Sequence, residues 1–285
     1  MTPTTVAVVL VLASAVMHAG WNLLLKIAGD KLVTMWTIRF CTLALAIPFV
    51  VANPPIRAAL PYILISGALH AAYDLSLVRA YHLGDYSLVY TFARGISPAL
   101  AAAIALIVLG ETLTALAVAG LFTTVTGLLL VTGSLPKLVH DAKRAMGWSL
   151  VTALFIASYT VLDAAGIRTA GQATSYVGAV FIVNFVVLTP VTAWRRWGHP
   201  DWRLVRREWR GPAAAAPLQI IAYMLVVFAL EISAVGYISS LRETGVVIAA
   251  LLGWRFLDEP YGRLRVLGTC AVVAGILGMT FSGSV

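Results

Sequence analysis

Charge is scarce in this chain: only 11% of its 285 residues are Asp, Glu, Lys or Arg, against 60% hydrophobic residues. Soluble domains carry roughly a quarter charged residues, so this scarcity excludes a chain whose folded surface faces water throughout. Cysteine is limited to Cys41 and Cys270. Both sit in apolar stretches without ligand spacing and read as small packing residues. No glycine-rich loop ending in Gly-Lys-Ser/Thr occurs, so the chain has no means of cradling and hydrolysing ATP. A His-Glu-x-x-His zinc motif and a Gly-x-Ser-x-Gly elbow are also missing. The sequence therefore supports neither primary pumping nor intramembrane proteolysis, and no catalytic residue, metal or cofactor is expected. Polar stretches long enough to build a separate soluble domain are absent too.

What the sequence does contain is long apolar blocks, with a mean hydropathy of +0.91. Several approach the ~20 residues a helix needs to cross the hydrocarbon core. Ten spans are expected, at 4–26, 33–52, 60–80, 86–109, 113–133, 146–167, 174–194, 212–233, 236–257 and 262–281. The first block, Thr4 to Leu25, lacks a positively charged leading region and carries His18, Trp21 and Asn22. It reads as the first spanning helix of the mature protein and not as a cleaved signal. Asn53, Pro54 and Pro55 break the chain after the second span, and Gly110 ends the fourth.

Two connectors are hydrophilic. Residues 134–145 divide the spans into five and five. The other, from Trp194 to Arg210, carries six arginines (195, 196, 203, 206, 207 and 210) and tryptophans at 194, 197, 202 and 209. Those residues suit orientation and anchoring at a membrane interface, with a funnel for anionic substrates as the second reading. The net charge of +8, from 20 basic and 12 acidic residues, lies mostly in such loops. Lipid and orientation account for it better than nucleic acid does.

An internal repeat carries the most information. Shifting the first half by 148 residues (242 − 94) lays Arg94 on Arg242, Glu111 on Glu259, Gly120 on Gly268 and Gly127 on Gly275. Five spans per half is an odd number, so the second copy must enter the membrane from the opposite side. The expected fold is an all-α membrane protein of ten transmembrane helices. It is divided into a first repeat at 1–133, a linker at 134–145 and an inverted second repeat at 146–285.

Polar groups inside apolar spans need a reason, because a charge at the bilayer centre costs at least ~2.5–3.5 kcal/mol on insertion scales. On the first span Ser14, His18, Trp21 and Asn22 share a helical face, and Lys26 extends it. The third span carries Ser66, His70, Tyr73 and Asp74, and the fourth Tyr86, Tyr90 and Arg94. Later spans add Tyr159, Asp163, Asn184, Gln219, Tyr223, Arg242 and Glu243. Lipid offers these faces no hydrogen bonds, so they are expected to turn inward. The candidate substrate-binding residues are His18, Trp21, Asn22, His70, Tyr73, Tyr90, Arg94, Tyr159, Tyr223 and Arg242. Arg94 and Arg242 have a second reading, as structural partners of Asp74, Asp163 or Glu243. Lys26 reads also as a residue snorkelling to the interface, Asn184 and Gln219 as interhelical links, and Glu111 and Glu259 as helix-terminus stabilisers.

Trp21-Asn22 with Lys26, Ser97-Pro98, Gly110-Glu111 opening the fifth span, and Asp258-Glu259-Pro260 before the last together resemble the ten-span, EamA-type members of the drug/metabolite transporter superfamily. Within it, the YddG-type amino-acid exporters are similar in length and cavity character. The resemblance implies export of small organic metabolites, amino acids first among them, through a cavity between the repeats. One departure is Val246, which stands where the second half would repeat Pro98. The alternatives are an importer, a broad organic-cation or drug exporter, and a scaffold that transports nothing. The expected partners are a small-molecule substrate and the lipid bilayer, with room for a coupling ion, no nucleic acid, and either a monomer or a homodimer. The resemblance places the chain in a cell membrane, with the bacterial inner membrane first.

Overall fold

In an apolar solvent the backbone can satisfy its polar groups only within itself, which favours helices throughout. The computed structural model describes residues 3–109, 114–133, 140–196, 209–232, 241–259 and 263–281. Among these residues there are ten α-helices and no strand. They are α1 (Pro3–Ile27), α2 (Lys31–Ala52), α3 (Leu60–Leu83), α4 (Tyr86–Leu109) and α5 (Ala115–Gly133), then α6 (His140–Ala170), α7 (Ala173–Arg195), α8 (Arg210–Ile232), α9 (Gly245–Leu257) and α10 (Arg263–Phe281). Most match the expected spans within a few residues. Helix α6 begins earlier, at His140, because no glycine or proline interrupts residues 140–146. Gly110-Glu111, residues 134–139, Trp197, Trp202, Arg203, Arg206, Arg207 and Pro260 lie outside the described residues.

Among the described residues four helices are long and apolar enough to cross a membrane: Thr5–Ile27, Lys31–Ala52, Ala142–Ala170 and Ala173–Arg195. Shorter apolar helices occur at Val118–Leu128, Gly245–Leu257 and Val266–Gly278. Helix α3 is more polar, and its Ser66, Asp74 and Ser76 are buried inside the bundle. Hydroxyls on apolar helices bond their own backbone four residues back, as Thr37 does to Val33 and Thr192 to Leu188. This removes the cost of an unpaired hydroxyl in an apolar setting.

Helix ends are fastened by charge. Asp30 caps α2, its side chain accepting from the amides of Leu32 and Val33 at 3.1 Å each. It also pairs with Arg196 beyond the end of α7. The α3–α4 turn is held from both sides. The Lys26 ammonium donates to the carbonyls of Tyr81 (2.9 Å) and Gly84 (2.5 Å) at the α3 terminus. The buried Glu259 carboxylate accepts from the Tyr86 amide and from the Ser87 amide (2.9 Å) and hydroxyl (2.5 Å) at the start of α4. Each charge sits at the end of the helix dipole that favours it. Glu259 thus stabilises a distant helix, and Lys26 is bonded where it could have snorkelled. Gly253 makes this approach feasible, since a Cβ there would lie 2.5 Å from Glu259 Oε2.

Packing between helices is reciprocal. Helix α1 packs on α8 as α3 packs on α6; α4 meets α6 as α1 meets α9; α3 meets α7 as α2 meets α8. Three further pairs, α2–α7, α4–α9 and α5–α10, join the first five helices to the last five. At the α5–α10 crossing the two backbones approach closely. A Cβ on Gly127 would stand 2.6 Å from the Gly268 carbonyl, and one on Gly268 would stand 2.6 Å from the Gly127 carbonyl. Small residues permit this contact, and dispersion rewards it.

Candidate functional site

Three polar clusters occupy the middle of the bundle. The first is an ion pair that the sequence reading did not single out. Arg39 on α2 donates from Nε to Asp74 Oδ2 at 2.7 Å, and its Nη2 bonds Asp74 Oδ1. Asn184 on α7 donates to the same Oδ2 at 2.9 Å. Arg39 and Asp74 are 1% and 0% exposed. A two-point guanidinium–carboxylate fork offsets desolvation as well as any ion pair can. The Arg39 guanidinium also lies 5.8 Å from the Phe181 ring centroid. The interior position of Arg39 within an apolar span was the available signal. Asp74 is thereby partnered by Arg39 and not by Arg94 or Arg242.

The second cluster lies between α3, α6 and α7. Asp163 Oδ1 accepts from Ser66 Oγ at 2.5 Å and from the Tyr176 hydroxyl at 2.9 Å. His70 donates from Nδ1 to the Ser66 carbonyl at 2.9 Å. Its ring stacks on Tyr159 at 3.9 Å between centroids, and Tyr73 meets Tyr159 edge-on at 5.9 Å. His70, Tyr73 and Tyr159 thus form one aromatic group.

The third cluster joins α1, α4 and the start of α9. Arg94 Nη2 contacts Glu243 Oε1 at 3.2 Å. Tyr90, one turn before Arg94, packs edge-on to His18 at 6.2 Å between centroids. Trp21 lies edge-on to His18 at 5.3 Å, with Nε1 3.4 Å from His18 Nδ1. Arg242 interacts electrostatically with Arg94, Glu243, Tyr159 and Tyr223, so the second and third clusters adjoin. The structure therefore brings together His18, Trp21, Tyr90, Arg94 and Arg242, and sets the His70–Tyr73–Tyr159 group beside them.

Two expected site residues have further partners of their own. Asn22 is buried, accepting from the Tyr81 hydroxyl at 3.0 Å and donating to the His18 carbonyl at 2.9 Å, which uses both ends of its amide. Tyr223 packs on Phe181 and lines a shallow groove with Leu45, Phe49 and Ile220. Gln219 accepts from Thr42 at 3.4 Å as an interhelical link between α2 and α8. Glu243, absent from the expected site, sits at its centre. Among the described residues no group of His, Cys, Asp and Glu could hold a metal ion.

A solved crystal structure of a protein shares this fold with a TM-score of 0.67 and 15% identity, covering 96% of each chain. No curated protein matches the chain. Residues 143–281 match the EamA-like transporter family. The second half of the chain is thus similar to a transporter family, and four helices among the described residues are long and apolar enough to cross a membrane.

Proposed function

We propose that the chain is a secondary or facilitative transporter that exports small organic metabolites, amino acids foremost, across a bacterial inner membrane. Ten membrane-spanning helices in two inverted five-helix repeats would expose a central amphipathic site to either side in turn. The reciprocal packing of α1–α8 with α3–α6 and of α2–α8 with α3–α7 supports the inverted arrangement. So does the exchange between Gly127 and Gly268 at the α5–α10 crossing.

The observation that carries the transport reading is the placement of Arg94, Glu243 and Arg242 among His18, Tyr90 and Tyr159, partly buried between helices of both halves. A scaffold needs helices locked together, which the forked Arg39–Asp74 pair accomplishes. The one-point Arg94–Glu243 contact at 3.2 Å fits a lock less well than a site that exchanges partners. Counterflow into liposomes containing the purified protein, with a panel of amino acids and lipophilic cations, tests this. Saturable amino-acid exchange is expected. Uptake of cations alone would favour a drug exporter, and no saturable flux of any solute would favour the scaffold.

A further inference from the structure

The interior carboxylates of this chain differ in how their charge is held. Asp74 meets Arg39 in a two-point fork, and Glu243 meets Arg94 at 3.2 Å. Glu259 receives three bonds at the start of α4. Among the described residues no lysine or arginine bonds Asp163. Its hydrogen bonds come from two neutral hydroxyls, Ser66 Oγ at 2.5 Å and Tyr176 at 2.9 Å. Both end on Oδ1, so Oδ2 has no hydrogen-bond partner among the described residues. Asp163 is half-buried, and its Oδ2 is not sealed inside the packing.

The groups around this carboxylate come from several helices. From α3 comes His70, whose Nδ1 lies 3.2 Å from Ser66 Oγ, so one hydroxyl links imidazole and carboxylate. The Arg39–Asp74 pair lies beyond His70 and interacts with it. From α7 comes Tyr176, admitted by Gly166, where a Cβ would stand 2.5 Å from the Tyr176 ring. Tyr223 on α8 and Tyr159 on α6 itself interact electrostatically with Asp163. Helix α4 brings Arg94, which interacts with Tyr159. Arg57 and Arg168 belong to the end of α6, where Ala59 packs with Ala170. Asp163 stands seven residues before that end (170 − 163), roughly 10 Å along the helix axis.

We infer that Asp163 is the site at which this chain takes up and releases a proton in exchange for its solute. This rests on the transporter reading above and adds the ion that drives it. The proton bonds to Oδ2 and makes the carboxyl neutral, while Oδ1 keeps both hydroxyl bonds. It leaves to water again when the anion is restored. At Asp74 or Glu243 the same proton would break an ion pair and strand a guanidinium; at Asp163 it breaks nothing. Ser66 and Tyr176 turn their protons toward the carboxylate and not their lone pairs, which suits a proton better than a metal cation. The charge change reaches the solute site through His70, which stacks on Tyr159 at 3.9 Å, the ring with which Arg94 and Arg242 interact. One proton enters for each solute that leaves.

The test uses proteoliposomes and the best-exchanged amino acid of the counterflow panel. With the membrane potential clamped at zero, a pH gradient of about one unit, acid inside, should draw the solute in. One-for-one exchange sets a ceiling of about tenfold over the outside concentration, and about fivefold or more is expected. Asp163→Asn keeps an acceptor for Ser66 and Tyr176 but cannot titrate. Its ratio of driven accumulation to counterflow exchange should fall at least about fivefold. Exchange by the wild type without accumulation under this gradient would overturn the proton site and leave transport standing. Accumulation by Asp163→Asn equal to that of the wild type would overturn Asp163 as the site. Should the variant lose exchange altogether, infrared difference spectra of both proteins across the same pH interval decide. The protonated-carboxyl band of the wild type must be missing from the variant, and identical spectra overturn the assignment. If the wild type exchanges no solute of the panel, the transporter reading falls, and the coupling with it.

Discussion

Arg39 and Asp74 form a two-point ion pair with neither side chain exposed, near the middle of α2 and α3. Removing one member of such a pair strands the other charge in an apolar interior. Arg39→Met or Asp74→Leu alone should cost about 3–5 kcal/mol. The double variant should recover most of that loss, because both charges leave together. Thermal unfolding of detergent-solubilised protein measures each change. A double variant no better than either single one would show that the bundle needs the pair itself.

Glu259 and Lys26 supply a second test, at the α3–α4 turn. Each charge-assisted hydrogen bond is worth about 1.5–3 kcal/mol, and Glu259 receives bonds from the Tyr86 amide and the Ser87 amide and hydroxyl. Glu259→Ala should therefore destabilise the protein by about 2 kcal/mol or more, with Glu259→Gln losing less. Hydrogen exchange at the first turn of α4 should rise in both variants. Unchanged exchange there would disprove the cap.

The glycines at the α5–α10 crossing should behave unlike other glycines. Gly127→Ala and Gly268→Ala each force a methyl into a carbonyl oxygen 2.6 Å away, a kind of overpacking that costs about 1–3 kcal/mol. Gly147, inside α6, has nothing within 4 Å of its notional Cβ. Gly147→Ala should stabilise by about 0.4–1 kcal/mol through the unfolded chain. Melting temperatures of the three variants, compared with wild type, should move in opposite directions.

Orientation follows from charge. Lys26, Asp30 and Arg196 gather at one end of the bundle with the α3–α4 turn and Glu259. The basic connector from 195 to 210 continues from that end. Positive loops stay in the cytoplasm, so reporters in the 195–210 loop should read as cytoplasmic and one at Val285 as external. The EamA-type resemblance implies the opposite for the termini. A cytoplasmic signal at Val285 with an external loop would overturn the charge count.

Helix positions were legible because long apolar blocks between breakers leave little choice, and α4 begins and ends where the sequence placed it, at Tyr86 and Leu109. The aromatic partners His18, Tyr90, His70 and Tyr159 were legible for a related reason: polar faces must avoid lipid. Pairings across helices were not. Nothing in the spacing says that Asp74 meets Arg39 and not Arg94, because that choice depends on which helices become neighbours. Glu259 shows the same limit, since its position before α10 marks a helix terminus but not that the helix it serves is α4.

The α5–α10 seam has a mechanical consequence. Its two backbones touch at Gly127 and Gly268, leaving no layer of side chains to slide, and each helix belongs to a different half of the chain. Two bodies joined along one such line can rotate about it but cannot translate past each other without collision. Any rocking of the halves therefore takes this seam as its pivot, and displacement grows with distance from it.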